Sequence, residues 1–89
     1  MIRQPVTIIN KLGLHARAAA KLVETASRYE SRVALVRGDR QVDAKSIMPV
    51  MMLAASQGTE VELVAEGPDE QQAIAALEAL INDYFGEGE

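Results

Sequence analysis

The single histidine of this 89-residue chain, His15, sits in the run Gly13-Leu14-His15-Ala16-Arg17, where a helical pattern begins. A helix start carries roughly half a positive charge, so Ser, Thr, Asp or Asn is expected at the cap and acids in the first turn. Here His15 takes the cap position, Arg17 lies in the first turn and Lys21 one turn later, while the first acid, Glu24, arrives only in the third turn. Each cation beside the positive helix end costs about 0.3–1 kcal/mol, and Arg17 and Lys21 form a like-charge i,i+4 pair besides. An anion would compensate. A phosphate could accept the free backbone N–H groups of Ala16 and Arg17 and a bidentate contact from the Arg17 guanidinium. The same surroundings favour a neutral imidazole, which can attack a phosphoryl group without a separate base. Gly13 permits a sharp turn or a close backbone approach just before it. The residues themselves leave two readings open: a phosphoryl acceptor on His15, or a histidine with no chemical task.

Composition removes other chemistries. There is no cysteine, which excludes disulfides, thiolate zinc sites and cysteine nucleophiles, and one histidine cannot build a His-based metal cluster. No metal and no cofactor are therefore expected. The net charge of −4 disfavours nucleic acid and anionic membranes as partners. Residues 1–45 nevertheless hold all nine bases against four acids, a net of +5, and residues 46–89 hold nine acids and no base, a net of −9. That asymmetry suggests a cationic face built from the first half. No apolar run reaches the roughly 18–20 residues of a membrane span, and the N-terminus has no signal-peptide core. The expectation is one soluble, cytoplasmic domain over residues 1–89, since two cores could not both close in so short a chain.

The elements that must position His15 follow from periodicity. Ile2 to Ile9 reads as a strand, and Pro5, which cannot donate to a ladder, puts it at a sheet edge or Pro5 near its start. Ala16, Ala19, Ala20, Val23 and Ala26, with Leu22 beside them, have amphipathic helical spacing ending near 27–29. Arg32–Arg37 and Arg40–Ala44 are strands joined by Gly38-Asp39, a type II′ hairpin signal. Ser46 is expected to cap a second helix that tolerates Pro49 and stops at Gly58. Glu60–Glu66 alternates as a half-buried strand, broken only by Val64. After Gly67-Pro68, Asp69 and Gln72 are spaced as a capping pair for a last helix with the stripe Ala73, Ile74, Leu77, Leu80, Ile81 and Tyr84. Gly86 onward reads as a frayed acidic tail. The order β-α-β-β-α-β-α predicts an α+β, two-layer open-faced sandwich with three helices on one face of an antiparallel sheet.

The second helix has no polar side chain between Ile47 and Ala55, which an amphipathic surface helix should not show. Either it is deeply buried, or Ile47, Met48, Met51, Met52 and Leu53 present a partly exposed, adaptable docking surface.

Gly13-Leu14-His15-Ala16-Arg17 followed by Ala19-Ala20 resembles the active-site signature of the histidine-containing phosphocarriers (HPr family) of the bacterial phosphoenolpyruvate phosphotransferase system. Lys45-Ser46-Ile47-Met48 and Met51-Met52-Leu53 resemble the family's second motif, and Gln57-Gly58-Thr59 precedes a Glu-rich fourth strand as it does there. Asn10-Lys11-Leu12-Gly13 and the acidic, Tyr-Phe-containing C-terminus look most like the nitrogen-related branch. Two residues depart from the family pattern: Ala18 stands where proline usually follows the arginine, and Pro49 where a small residue is common.

The resemblance implies sheet order 1-4-2-3 and a monomeric carrier, not an enzyme. His15 would take a phosphoryl group at Nδ1 from a phosphoenolpyruvate-charged enzyme I and pass it to an enzyme IIA-type protein, with Arg17 stabilising the phosphate. Partners would dock on the first two helices, steered by a rim of Lys11, Arg17, Lys21 and Lys45. Ser46 matches a serine that is a regulatory phosphosite in some members. Two rivals remain: a regulatory protein-binding module that is never phosphorylated, against which His15 and Arg17 argue, and a free-standing phosphatase, for which no second catalytic group speaks.

Overall fold

A computed structural model describes residues 1–89. The strands are β1 (Ile2–Thr7), β2 (Arg32–Arg37), β3 (Arg40–Asp43) and β4 (Glu60–Glu66), and the helices are α1 (Ala16–Ser27), α2 (Ile47–Met52) and α3 (Glu70–Asn82). The sheet is antiparallel throughout, in the order β1-β4-β2-β3. β1 is an edge, the first of the two placements Pro5 allowed; Pro5 stands opposite Glu62, in the interior of the strand. Alternation decides the faces. Val61, Leu63 and Ala65 of β4 and Val33 and Leu35 of β2 point into the core, where they meet Ala18, Ala19, Leu22 and Ala26 of α1 and Ala73, Ile74, Leu77 and Ile81 of α3. Val64 lies on the opposite face beside Arg3 and Ala34, its pairing partners.

Several local expectations are corrected. The buried stripe of α1 runs through Ala18, Ala19, Leu22 and Ala26, while Ala16 and Ala20 are exposed. An alanine-rich segment carries little information about phase, because its candidate faces differ by a few methyl groups. Helix α2 ends at Met52, well before Gly58, and Ala54 takes a left-handed φ of 55°. The carbonyls at its end are satisfied from the β2–β3 hairpin. Arg37 donates to Leu53 O at 2.7 Å and Arg40 to Met52 O at 3.0 Å, a favourable placement of cations at a negative helix end.

Ser46 occupies the cap position of α2, yet its hydroxyl caps nothing. A capping hydroxyl accepts from the second or third helical N–H, and Pro49, in the third position, has none to give. Asp69 likewise does not cap α3. Its carboxylate accepts from the N–H groups of Glu30 and Ser31, at 2.9 Å each, and from the Ser31 hydroxyl, so it ties the start of α3 to the loop entering β2.

The largest correction is at the C-terminus. The apolar stripe of α3 does not continue to Tyr84. The helix ends at Asn82, Tyr84 and Phe85 adopt left-handed φ values of 58° and 52°, and Tyr84–Gly86 forms a short 3-10 turn. This reversal exposes Tyr84 and drives Phe85 into the core, where it is fully buried. Residues 84–89 are thus a hook packed back on the molecule, not a frayed tail.

Candidate functional site

The loop between β1 and α1 is built to present His15. Gly13 has φ +67°, and a Cβ on it would lie 2.6 Å from the Ala55 carbonyl oxygen and 2.8 Å from Ser56 Cα, so both the turn and the close approach demand glycine. The approach is secured by Leu14 N–H donating to Ala55 O at 2.9 Å. Asn10, fully buried, donates its amide to Gly13 O at 2.8 Å from within the same turn. His15 then caps α1 with an extended backbone (φ −75°, ψ 178°), and its carbonyl accepts the first intrahelical bond, from Ala19 N–H at 2.8 Å.

Among the donors left over at this helix start are the N–H groups of Ala16, Arg17 and Ala18. Proline would have removed the third, so the Ala18 departure adds a donor. The Ala18 methyl is meanwhile fully buried in the core. Arg17 is exposed, and its guanidinium has neither an ion pair nor a hydrogen bond.

The first turn of α1 contains no acid, and the compensating anion comes from the other end of the chain. Glu87, carried by the hook, accepts a hydrogen bond from His15 Nε2 through one carboxylate oxygen and from Asn10 Nδ2, at 3.0 Å, through the other. Burial pushes the Glu87 carboxyl up, but the hydrogen bonds from His15 and Asn10, with the nearby Lys21 charge, outweigh it and hold the group below its ordinary value. The hook is fastened at two further points. Lys21 Nζ donates to Phe85 O at 2.6 Å, and Lys11 N–H donates to Glu89 O at 3.1 Å. Asn10 Oδ1 is buried without a partner.

These residues surround an open hollow of about 660 Å³ lined by Leu12, His15, Ala16, Arg17, Lys21, Gly86, Glu87 and Glu89. The His15 and Glu87 side chains retain 29% and 12% of their exposure. The hollow can take an anion between a ring nitrogen, three backbone donors and a free guanidinium. No group of three or more His, Cys, Asp or Glu side chains is arranged to hold a metal.

Of the residues singled out in the sequence, His15, Ala16, Arg17 and Lys21 come together here, although the Lys21 charge is engaged by the hook. Lys11 is exposed on the adjoining loop. Lys45 does not belong to this rim. Its ammonium donates to Tyr29 O at 2.6 Å, beyond the far end of α1, and it lines a separate hollow of about 470 Å³ on the open sheet face. The apolar surface is likewise narrower than the sequence suggested. Met48 and Met52, each 63% exposed, share one side of α2 with Ile47, whereas Met51 is half-buried against the core and Leu53 is fully buried. Leu12, 67% exposed, places a further apolar side chain at the rim of the His15 hollow and had not been singled out for docking. Sequence reasoning also missed Asn10 and Glu87. The late Glu87 carries no local pattern, and only the fold brings it to His15.

Comparison with known proteins agrees with this architecture. A family model described as "PTS HPr component phosphorylation site" matches residues 2–83. The chain is 61% identical over 89 residues, the full length of both, to the phosphocarrier protein HPr of Cupriavidus necator. Among solved structures, HPr-C-His from Thermoanaerobacter tengcongensis superposes with a TM-score of 0.95 at 49% identity, covering 98% of each chain. An HPr dimer from the same organism superposes with a TM-score of 0.79 at 51% identity, over 92% of this chain and 94% of that one. With the sheet order, the covering helices and full-length similarity in agreement, this chain belongs to the HPr family of phosphocarrier proteins of the phosphotransferase system.

Proposed function

We propose that His15 is the phosphoryl acceptor, taking the group at Nδ1 from a phosphoenolpyruvate-charged enzyme I and handing it to an enzyme IIA-type protein. The observation that carries this reading is the pairing at one helix start of an imidazole with three unpartnered backbone donors and an unengaged guanidinium. In the transfer the Nδ1 lone pair forms the N–P bond as the bond from phosphorus to the donor breaks, and that electron pair returns to the donor. The N–H groups of Ala16, Arg17 and Ala18 and the Arg17 side chain accept the charge of the transferred group. Small size suits the task, since two larger proteins must reach the same nitrogen in turn.

Docking falls to the exposed Ile47, Met48 and Met52, with Leu12 beside the histidine, and Lys11 and Arg17 steer the acidic partner surfaces. The chain acts as one monomeric, cytoplasmic unit over residues 1–89, in the nitrogen-related branch suggested by Asn10-Lys11-Leu12-Gly13 and its C-terminus. Ser46, whose hydroxyl is free, is a second site open to regulatory phosphorylation. A phosphate there would add about 1.5–2 negative charges beside the docking helix, so Ser46→Asp is expected to weaken transfer from enzyme I. The branch is tested by parallel transfer assays with the nitrogen-related and sugar-related enzymes I. Faster charging by the nitrogen-related donor is expected, and faster charging by the sugar-related donor overturns the assignment.

A further inference from the structure

We propose that Glu87 is the positioning residue for phosphotransfer: it holds the His15 proton on Nε2, so that Nδ1 keeps its lone pair for phosphorus. The inference rests on the reading of His15 as acceptor, and it assigns the C-terminal hook a part in the chemistry. The geometry carries it. An ionised carboxylate can only accept, so a ring nitrogen facing Glu87 must carry hydrogen. A neutral imidazole has one such hydrogen, and fixing it on Nε2 leaves Nδ1 unprotonated.

The carboxylate is itself oriented. Its second oxygen receives the buried Asn10 amide, and that amide is fixed by its other hydrogen bond, to Gly13 O at 2.8 Å. Asn10, Glu87 and His15 thus form a relay from the glycine turn to the nucleophile, parallel to the acid that orients the histidine of a hydrolytic triad. The hook supplies Glu87 at the required place because Phe85 is buried and its carbonyl is held by Lys21. The charged groups facing the pair are Lys21 and Arg17 of α1 and the Glu89 carboxylate of the hook.

The relay also acts after transfer. When the Nδ1 lone pair forms the N–P bond, positive charge develops on the ring while the hydrogen stays on Nε2. Glu87 accepts that hydrogen bond throughout, so the charge grows against a carboxylate already in place and no proton has to move.

The test is ¹⁵N NMR of the His15 ring, at a pH where the imidazole is neutral, in the wild type, Glu87→Ala and Glu87→Gln. Charging by enzyme I is timed alongside. Wild type is expected to show Nε2–H alone. Glu87→Ala should give a mixture of the two ring tautomers and about tenfold slower charging, the scale of one hydrogen bond to a charged group. Glu87→Gln keeps an acceptor oxygen and should retain the Nε2–H form better than Glu87→Ala. The Phe85 ring resonances report whether the hook stays seated in each variant. A purely structural Glu87 would leave the tautomer unmoved. An unchanged tautomer in Glu87→Ala with the hook seated overturns the inference, as does charging at or above the wild-type rate. The tautomer is read on the uncharged protein, so a wild type that gains phosphate elsewhere than His15 refutes the acceptor reading separately.

Discussion

Replacing Phe85 by alanine would show how narrowly the hook is held. Two residues with side chains, Tyr84 and Phe85, sit in left-handed backbone, at about 1–2 kcal/mol each. Against this stand the burial of the Phe85 ring, worth about 1.5–3 kcal/mol, and the Lys21 bond to its carbonyl, about 1.5–3 kcal/mol for a charged donor. The Glu87 bonds to His15 and Asn10 and the Lys11 bond to Glu89 O add to this hold, and removing the ring takes away a large part of it. In a rigid core Phe→Ala costs about 3–5 kcal/mol through the cavity left behind. Here the segment can instead detach and relax its two left-handed residues, which returns part of that cost. Phe85→Ala should therefore lose about 1–3 kcal/mol in urea unfolding, with a slightly lower denaturant slope because the released hook is already exposed before unfolding. The His15 ring resonances should shift at the same time, because Glu87 leaves with the hook. A loss above about 4 kcal/mol with His15 unmoved would refute the reasoning, since the hook would then be rigid without its anchor. A loss too small to measure would equally refute it.

Three further outcomes are expected. Arg17→Ala should slow phosphotransfer without lowering thermal stability, because the side chain is exposed, unpaired and next to a positive helix end; equal transfer rates with both partners would reduce it to a surface charge. Gly13→Ala should destabilise by about 2 kcal/mol or more, as measured by chemical denaturation, since it needs a left-handed φ and places a methyl against the Ala55 carbonyl. The Asp69 carboxyl is held below its ordinary value, first by the Ser31 hydroxyl and then by the Glu30 N–H. Its folded-state pKa thus lies below its unfolded one, so its stabilisation is present above the unfolded value and lost as pH falls through the folded one. In acid titrations Asp69→Ala should be less stable than wild type near neutrality, and the two curves should converge at low pH.

What the sequence disclosed and what it hid divide along a physical line. Strand β4 was legible because Glu60–Glu66 alternates strictly on its buried face, the edge position of β1 was one of two that Pro5 allowed, the start of α1 followed from the apolar spacing beginning at Ala16, and the site at that start stood out because His15 and Arg17 break the cap rules. Each signal is local. The hook was illegible because left-handed φ at Tyr84 and Phe85 contradicts their intrinsic preferences and is imposed by the core that receives the ring. The same holds for Glu87, which meets His15 across 72 residues of sequence, and for Asp69, drawn from its own helix to Ser31. The idle Ser46 hydroxyl is a different case. Pro49 removes one of the two donors it could have capped, and that was visible in the sequence. The cationic rim was overdrawn because charge counting cannot see Lys45 turn to Tyr29 O, nor Lys21 to Phe85 O.

The most direct measurement is the stoichiometry and location of phosphate after incubation with phosphoenolpyruvate and enzyme I, comparing wild type with His15→Ala. Wild type should gain one acid-labile phosphoryl group, located by ³¹P and ¹⁵N NMR at Nδ1 of His15, and lose it to an enzyme IIA-type acceptor. His15→Ala should still fold cooperatively, unfold several degrees below the wild type because Glu87 loses a partner, and gain none. Stoichiometric labelling of His15→Ala, or a wild type that remains unlabelled beside an active donor, would contradict the account.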